Sequence, residues 1–180
     1  QILKNLQHRG SAGEDSLAGD GAGIVTQLPH AFFKKVTARL FIELPDEEEY
    51  AVGMVFLPKE EEQRRMCQDS IEKIVDNEKE KFLGWRKVPC DNSCLSQRLL
   101  HLEPFIYQFF IQRTEADHES FERKLYLIRR LIEKEISASA LTEKKFFYIT
   151  SLSSRTIVYK GMFNAWQLEK YYPDFQDTDF

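Results

Sequence analysis

The sequence has no apolar run approaching the roughly 20 residues that span a bilayer, and its start does not read as a signal peptide. Basic residues are not in excess: 25 Lys and Arg stand against 29 Asp and Glu, a net charge of −4. No cationic face is therefore expected, and neither nucleic acid nor a membrane is an expected partner. Cysteine is scarce. Cys67, Cys90 and Cys94 are an odd number without framework spacing, which excludes a secreted disulfide scaffold and points to the cytoplasm. Gly-Lys-Ser/Thr is absent, which excludes a P-loop. No Pro- or Gly-rich linker and no internal repeat divides the 180 residues, so they are expected to lie within one domain. The first residue is Gln1 rather than Met, so the sequence is expected to begin downstream of its translation start.

What is present is an alternation of helical and strand patterns. Ile2, Leu3 and Leu6 share a helical face that ends before Gly10. A glycine-rich loop leads into "GIVTQL", a strand, and Pro29 opens a short helix, "PHAFFKKVTARL". "YAVGMVFLP" is a continuous apolar run, the pattern of a buried strand. In "KEEEQRRMCQDSIEKIVDNEKEKF" the apolar positions Met66, Cys67, Ile71, Ile74 and Val75 form one stripe of a helix. Strands follow in "GWRKVPC" and "PFIYQFFIQR", with a short helix, "LSQRLLHLEP", between them. Asp117 to Ser139 reads as a second long helix, with Phe121, Leu125, Ile128, Ile132 and Ile136 on one face. "FFYITSLSS" and "TIVYKGMF" read as two strands joined by a tight Ser-Ser-Arg turn, and the tail as a short helix and an acidic coil. This order predicts a mixed, largely antiparallel α+β sandwich rather than a doubly wound parallel sheet.

Five glycines fall between Gly10 and Gly23, and "GDGAG" invites comparison with dinucleotide-binding loops. Those loops need Gly-x-Gly-x-x-Gly after a strand and before a helix, so that a helix N-terminus faces the pyrophosphate. Gly19, Gly21 and Gly23 are spaced two by two, between a helix and a strand, so the order of elements is reversed. The glycines then serve positive φ or close backbone approach. Cys90-x3-Cys94 lacks the second pair of ligands that a zinc site wants, and Cys67 on its apolar stripe reads as a small buried hydrophobe. A nucleophilic Cys94 would need a base held beside it, and the scattered His8, His30, His101 and His118 do not mark one. Trp85 reads as a packing anchor, and the acidic and basic runs as solvated faces.

The longer stretch "LQHRGSAGEDSLAGDGAGIVTQLPHAFF" resembles the start of glutamate synthase large subunits, and more broadly the class II glutamine amidotransferases. "EYAVGMVFLPKEEEQR", "GWRKVP", "ERKLYLIRRLIEK", "FYITSLSSRTIVYKGM" and "YYPDFQDTDF" extend the resemblance over essentially the whole chain. It implies the αββα sandwich of the N-terminal-nucleophile hydrolases, here incomplete. It also implies a glutaminase that releases ammonia from L-glutamine for transfer to 2-oxoglutarate, making L-glutamate.

In that family an N-terminal cysteine attacks the carboxamide, its own α-amino group acts as base, and an Asn-Gly pair supplies the oxyanion donors. The resemblance places that cysteine before residue 1, and the Arg-Phe-Ser-Thr and His-Asn-Gly-Glu segments after residue 180. No catalytic residue is thus expected here: residues 1–180 are read as part of one domain truncated at both ends and inactive alone. Arg9 and Gly10 match the family's His-Arg-Gly and are expected to line the glutamine pocket, the alternative for Arg9 being a surface salt bridge. Asp20, Gly21 and Gly23 match the loop before the strand and are expected to shape it. No cofactor is expected in this segment. FMN and an iron–sulfur cluster are implied for the full-length enzyme, and further domains and a small electron-donating subunit are implied as partners. The competing reading is a non-catalytic binding module, a degenerate relative that keeps the fold.

Overall fold

The computed structural model describes residues 21–180. The elements are β1 (Ala22–Gln27), α1 (His30–Ala38), β2 (Tyr50–Leu57), α2 (Glu61–Asn77), β3 (Lys81–Lys87), α3 (Gln97–Leu102), β4 (Phe105–Gln112), α4 (His118–Ala138), β5 (Tyr148–Ser153), β6 (Thr156–Gly161) and α5 (Ala165–Tyr171). Among the described residues the strands form a four-stranded sheet in the order β3-β4-β2-β5 and a two-stranded sheet, β1-β6. Every pairing is antiparallel, so the chain has an α+β fold. No described helix is long and apolar enough to cross a membrane.

Helical periodicity places α2 and α4 against one face of the larger sheet. From α2 the row Cys67, Ile71 and Val75 is wholly buried, while Met66, one residue round the helix, is 50% exposed. From α4 all five apolar residues of the predicted face are buried. They meet Ala51, Val55 and Leu57 of β2 and Phe109 and Ile111 of β4 in one core. Each fully buried Ile or Leu there contributes about 1.5–3 kcal/mol. Both helices begin on acidic caps: Glu60 accepts from the amides of Glu62 and Gln63, and Asp117 from the amide of Ser120.

Period-two alternation sends the other side chains of β2 and β4 the opposite way. Val52, Met54, Ile106 and Phe110 join Ile157 and Tyr159 of β6 in a second core between the two sheets. Phe32 and Phe33 of α1 close one part of it, and Tyr171, Tyr172, Phe175 and Phe180 another. The described residues thus supply three layers: helices, sheet, sheet. The outer face of the small sheet carries Gly23, Val25 and Gln27, with Val25 63% exposed.

Three expectations need correction. β5 and β6 do not form a hairpin ladder, because the Ser154–Arg155 turn carries the chain from one sheet to the other. Side chains take the ladder's place: Thr150 Oγ1 donates to Val158 O at 3.0 Å, and Val158 N donates to Ser151 Oγ at 3.1 Å. Second, α1 stops at Ala38, two residues short of the expected end. Phe41 adopts φ 57 and donates its amide to Ala38 O, while Ile42 N reaches back to Thr37 O. This left-handed helix end is normally a glycine position. Third, β3 starts at Lys81 rather than Gly84, after a turn in which Lys79 takes φ 67.

That turn buries Glu80 to 3% exposure, where Oε2 accepts from Thr114 N and Oε1 has no partner among the described residues. Burial raises its carboxyl above the ordinary value of 4.5, with the Thr114 amide partly opposing. Because the folded chain holds the proton more tightly than the unfolded chain, Glu80 favours folding most below 4.5. That contribution is lost as pH rises through the folded value. Glu80→Gln is therefore expected to raise the thermal midpoint at pH 7, with the two midpoints converging as pH falls towards 4.5. Thermal unfolding across that range checks it.

Candidate functional site

The expected site residues fall into two groups. Arg9, Gly10 and Asp20 lie outside the described residues. Gly21 and Gly23 lie together at the start of β1. Gly21 has φ 124, a conformation that side chains disfavour. Gly23 stands opposite Lys160 in the β1-β6 ladder. A Cβ on Gly23 would come within 2.8 Å of Lys160 Cβ and 3.1 Å of Tyr159 O, so the strands meet there at backbone distance.

These two glycines form one wall of an open cleft of about 580 Å³ that runs along the small sheet. Sites for small molecules have this size. Val25, Leu102, Tyr148 and Met162, all 45–67% exposed, are among its lining. Four large apolar side chains in one cleft form a patch rather than scattered exposure. Its polar groups are few. Lys160 Nζ lies 4.4 Å from the Tyr148 ring centroid and donates to the Tyr148 hydroxyl. Glu103 accepts from the Tyr171 hydroxyl at 2.8 Å and from Asn92 Nδ2 at 3.1 Å.

None of the three cysteines is an activated nucleophile. Cys67 is fully buried in the helical core, and desolvation pushes its thiol up to about 12. Cys90 is also pushed up to about 12, mainly by desolvation, with the nearby Tyr171 hydroxyl opposing. Cys94 is raised by burial and donates to Asp91 O. A reactive thiol needs the opposite shift. Among the described residues no three of His, Cys, Asp and Glu gather as a metal site would require.

Two polar clusters escaped the sequence reading. In the first, Ser154 Oγ lies 2.9 Å from His118 Nε2 and donates to Glu122 Oε1 at 2.5 Å. Arg155 Nε donates to His118 Nδ1 at 3.1 Å, which leaves the ring proton on Nε2. The imidazole therefore donates to the serine and cannot take its proton, so these residues brace the β5-β6 turn rather than form a hydrolytic triad. In the second, Arg86 binds both oxygens of Asp174, at 2.8 and 2.6 Å, and Gln108 Oε1 at 2.7 Å. Gln108 Nε2 donates to the Tyr159 hydroxyl at 2.8 Å, and that hydroxyl donates to Asp174 Oδ2 at 2.9 Å. This closed ring sits between the two sheets and is at most 6% exposed. Its one sequence signal is a charged residue at an inward strand position; Arg86 and Asp174 are 88 residues apart.

Comparison with known proteins adds the family. The model for class-II glutamine amidotransferases matches residues 1–180. The large chain of NADPH glutamate synthase from Bacillus subtilis is 41% identical over 182 residues, covering 100% of this chain and 12% of that protein. The corresponding chain from Azospirillum brasilense is 38% identical, again over 100% of this chain and 12% of its own length. The ferredoxin-dependent glutamate synthase of Cyanidium caldarium is 36% identical with the same coverage. The chain thus spans about an eighth of these relatives. With its α+β fold and a family match along its entire length, it belongs to the class-II glutamine amidotransferases.

Proposed function

We propose that this chain is the glutaminase part of a glutamate synthase, releasing ammonia from L-glutamine for transfer to 2-oxoglutarate. The observation that carries this is the match along all 180 residues to glutamate synthases that differ in their electron donor. In this reading the nucleophile is an N-terminal cysteine outside these residues. Its α-amino group takes the thiol proton, the thiolate attacks the carboxamide carbon, ammonia leaves, and water cleaves the thioester. Arg9 and Gly10 line the glutamine pocket, and Gly21 and Gly23 hold the strand beside it. Asp20 belongs to the same loop.

The three cysteines do not fit the ligand set of an iron–sulfur cluster. Cys67 is enclosed in the helical core, and all three thiols are shifted towards the protonated form. On this reading FMN and the cluster belong to other domains of the same polypeptide, and a small electron-donating subunit is a further partner.

The test is ammonia release from L-glutamine by the polypeptide that carries this chain, with Cys67, Cys90 and Cys94 replaced by Ala together. Activity within about twofold of wild type is expected, because burial shifts all three thiols towards the protonated form. Loss of ammonia release at unchanged folding would place the nucleophile among the three. A wild-type polypeptide that binds glutamine without releasing ammonia would favour the binding module.

A further inference from the structure

Among the described residues β1 pairs with β6 alone, so the position of the cleft wall formed by β1 follows what holds β6. Packing supplies part of the hold through Ile157 and Tyr159. Thr150 and Ser151 of β5 add two hydrogen bonds to Val158. A further hold comes from the segment that follows α5. The Tyr172 hydroxyl donates to Lys160 O at 2.8 Å. Two residues on, Asp174 accepts from the Tyr159 hydroxyl at 2.9 Å. Tyr159 and Lys160 are consecutive in β6 and stand opposite Ile24 and Gly23 of β1. One short segment thus grips β6 at the level of the glycine wall.

The grip is itself anchored. Arg86 of β3 and Gln108 of β4 hold Asp174 and Tyr159 through the closed ring. The Tyr159 and Tyr172 rings meet edge to face at 4.9 Å between centroids. Both hydroxyls are raised well above the ordinary tyrosine value, chiefly by burial, so both remain donors at any working pH.

We propose that Tyr172 and Asp174 are positioning residues for the glutamine site: they fix β6 against the larger sheet and thereby set the β1 wall, Gly21 to Gly23, of the cleft. The proposal rests on the glutaminase reading.

The test uses Tyr172→Phe and Tyr159→Phe in the polypeptide that carries this chain, since Phe keeps each ring and removes one hydroxyl. Ile132→Val, in the helical core, is the control for lost stability. KM for L-glutamine is expected to rise about five- to tenfold in both tyrosine variants, with kcat within about twofold, the size of one lost buried hydrogen bond. Amide exchange at Ile24–Thr26 is expected to quicken. The control should change neither. KM and β1 exchange both unchanged in the tyrosine variants, or an equal KM rise in the control, would overturn the proposal. If the wild-type polypeptide releases no ammonia, the glutaminase reading fails by itself. Exchange at β1 then still decides whether the segment holds the wall, with unchanged rates counting against it.

Discussion

Asp174→Ala is expected to destabilise the chain by about 3–5 kcal/mol, the cost of leaving a buried charge without its partner. Among the described residues Arg86 would keep only Gln108 Oε1 as a side-chain acceptor, in a site where Arg86 is 6% exposed. Tyr159 would lose its acceptor as well. For a chain of 180 residues this corresponds to a fall in thermal midpoint of roughly 6–20 °C. Arg86→Met is expected to cost a comparable amount for the mirror-image reason. The double variant removes both charges together, so its cost should fall short of the summed single costs by about 2 kcal/mol or more. Urea unfolding of the four proteins measures the cycle. Strict additivity would mean that the ring does not act as a unit.

The second large effect is expected at Gly53. This glycine lies in β2, one of the two strands flanked on both sides within the larger sheet, and Phe109 of β4 is its direct ladder partner. The Phe109 ring lies over the glycine, so that a Cβ would stand 2.1 and 2.2 Å from two ring atoms. Phe109 cannot swing clear, because it is fully buried against Phe82 and Trp85. Gly53→Ala is expected to cost about 1–3 kcal/mol through overpacking. Phe109→Leu, which costs stability alone by leaving space, should reduce the further cost of Gly53→Ala. Thermal unfolding of the two singles and the double checks this. A Gly53→Ala variant as stable as wild type would contradict the packing described here.

Features governed by periodicity were legible in the sequence. The five apolar residues of α4, spaced by three and four, are all buried, and the apolar run of β2 lies at the centre of its sheet. Where the outcome depended on a local exception, the pattern misled. Phe41 occupies a left-handed helix end where glycine would have signalled the stop. "NEKEKF" reads as charged helix, yet Glu80 is buried and Lys81 opens a strand. Thr150 and Ser151 look like ordinary strand residues, but their hydroxyls replace ladder hydrogen bonds and let β5 and β6 separate into different sheets.

The cleft divides in the same way. Resemblance singled out Gly21 and Gly23, which lie along it, whereas no motif or spacing in the sequence marked the Arg86–Asp174 ring. Its members come from two strands of one sheet, one of the other, and a turn after the last helix, so only the folded arrangement brings them together.

The most direct test of the central claim is the rate of ammonia release from L-glutamine after Arg9→Ala, measured in the polypeptide that carries this chain. A charged hydrogen bond to substrate is worth about 1.5–3 kcal/mol, so kcat/KM should fall roughly 10- to 100-fold with the thermal midpoint unchanged. A kcat/KM equal to wild type would contradict the placing of Arg9 in the glutamine pocket.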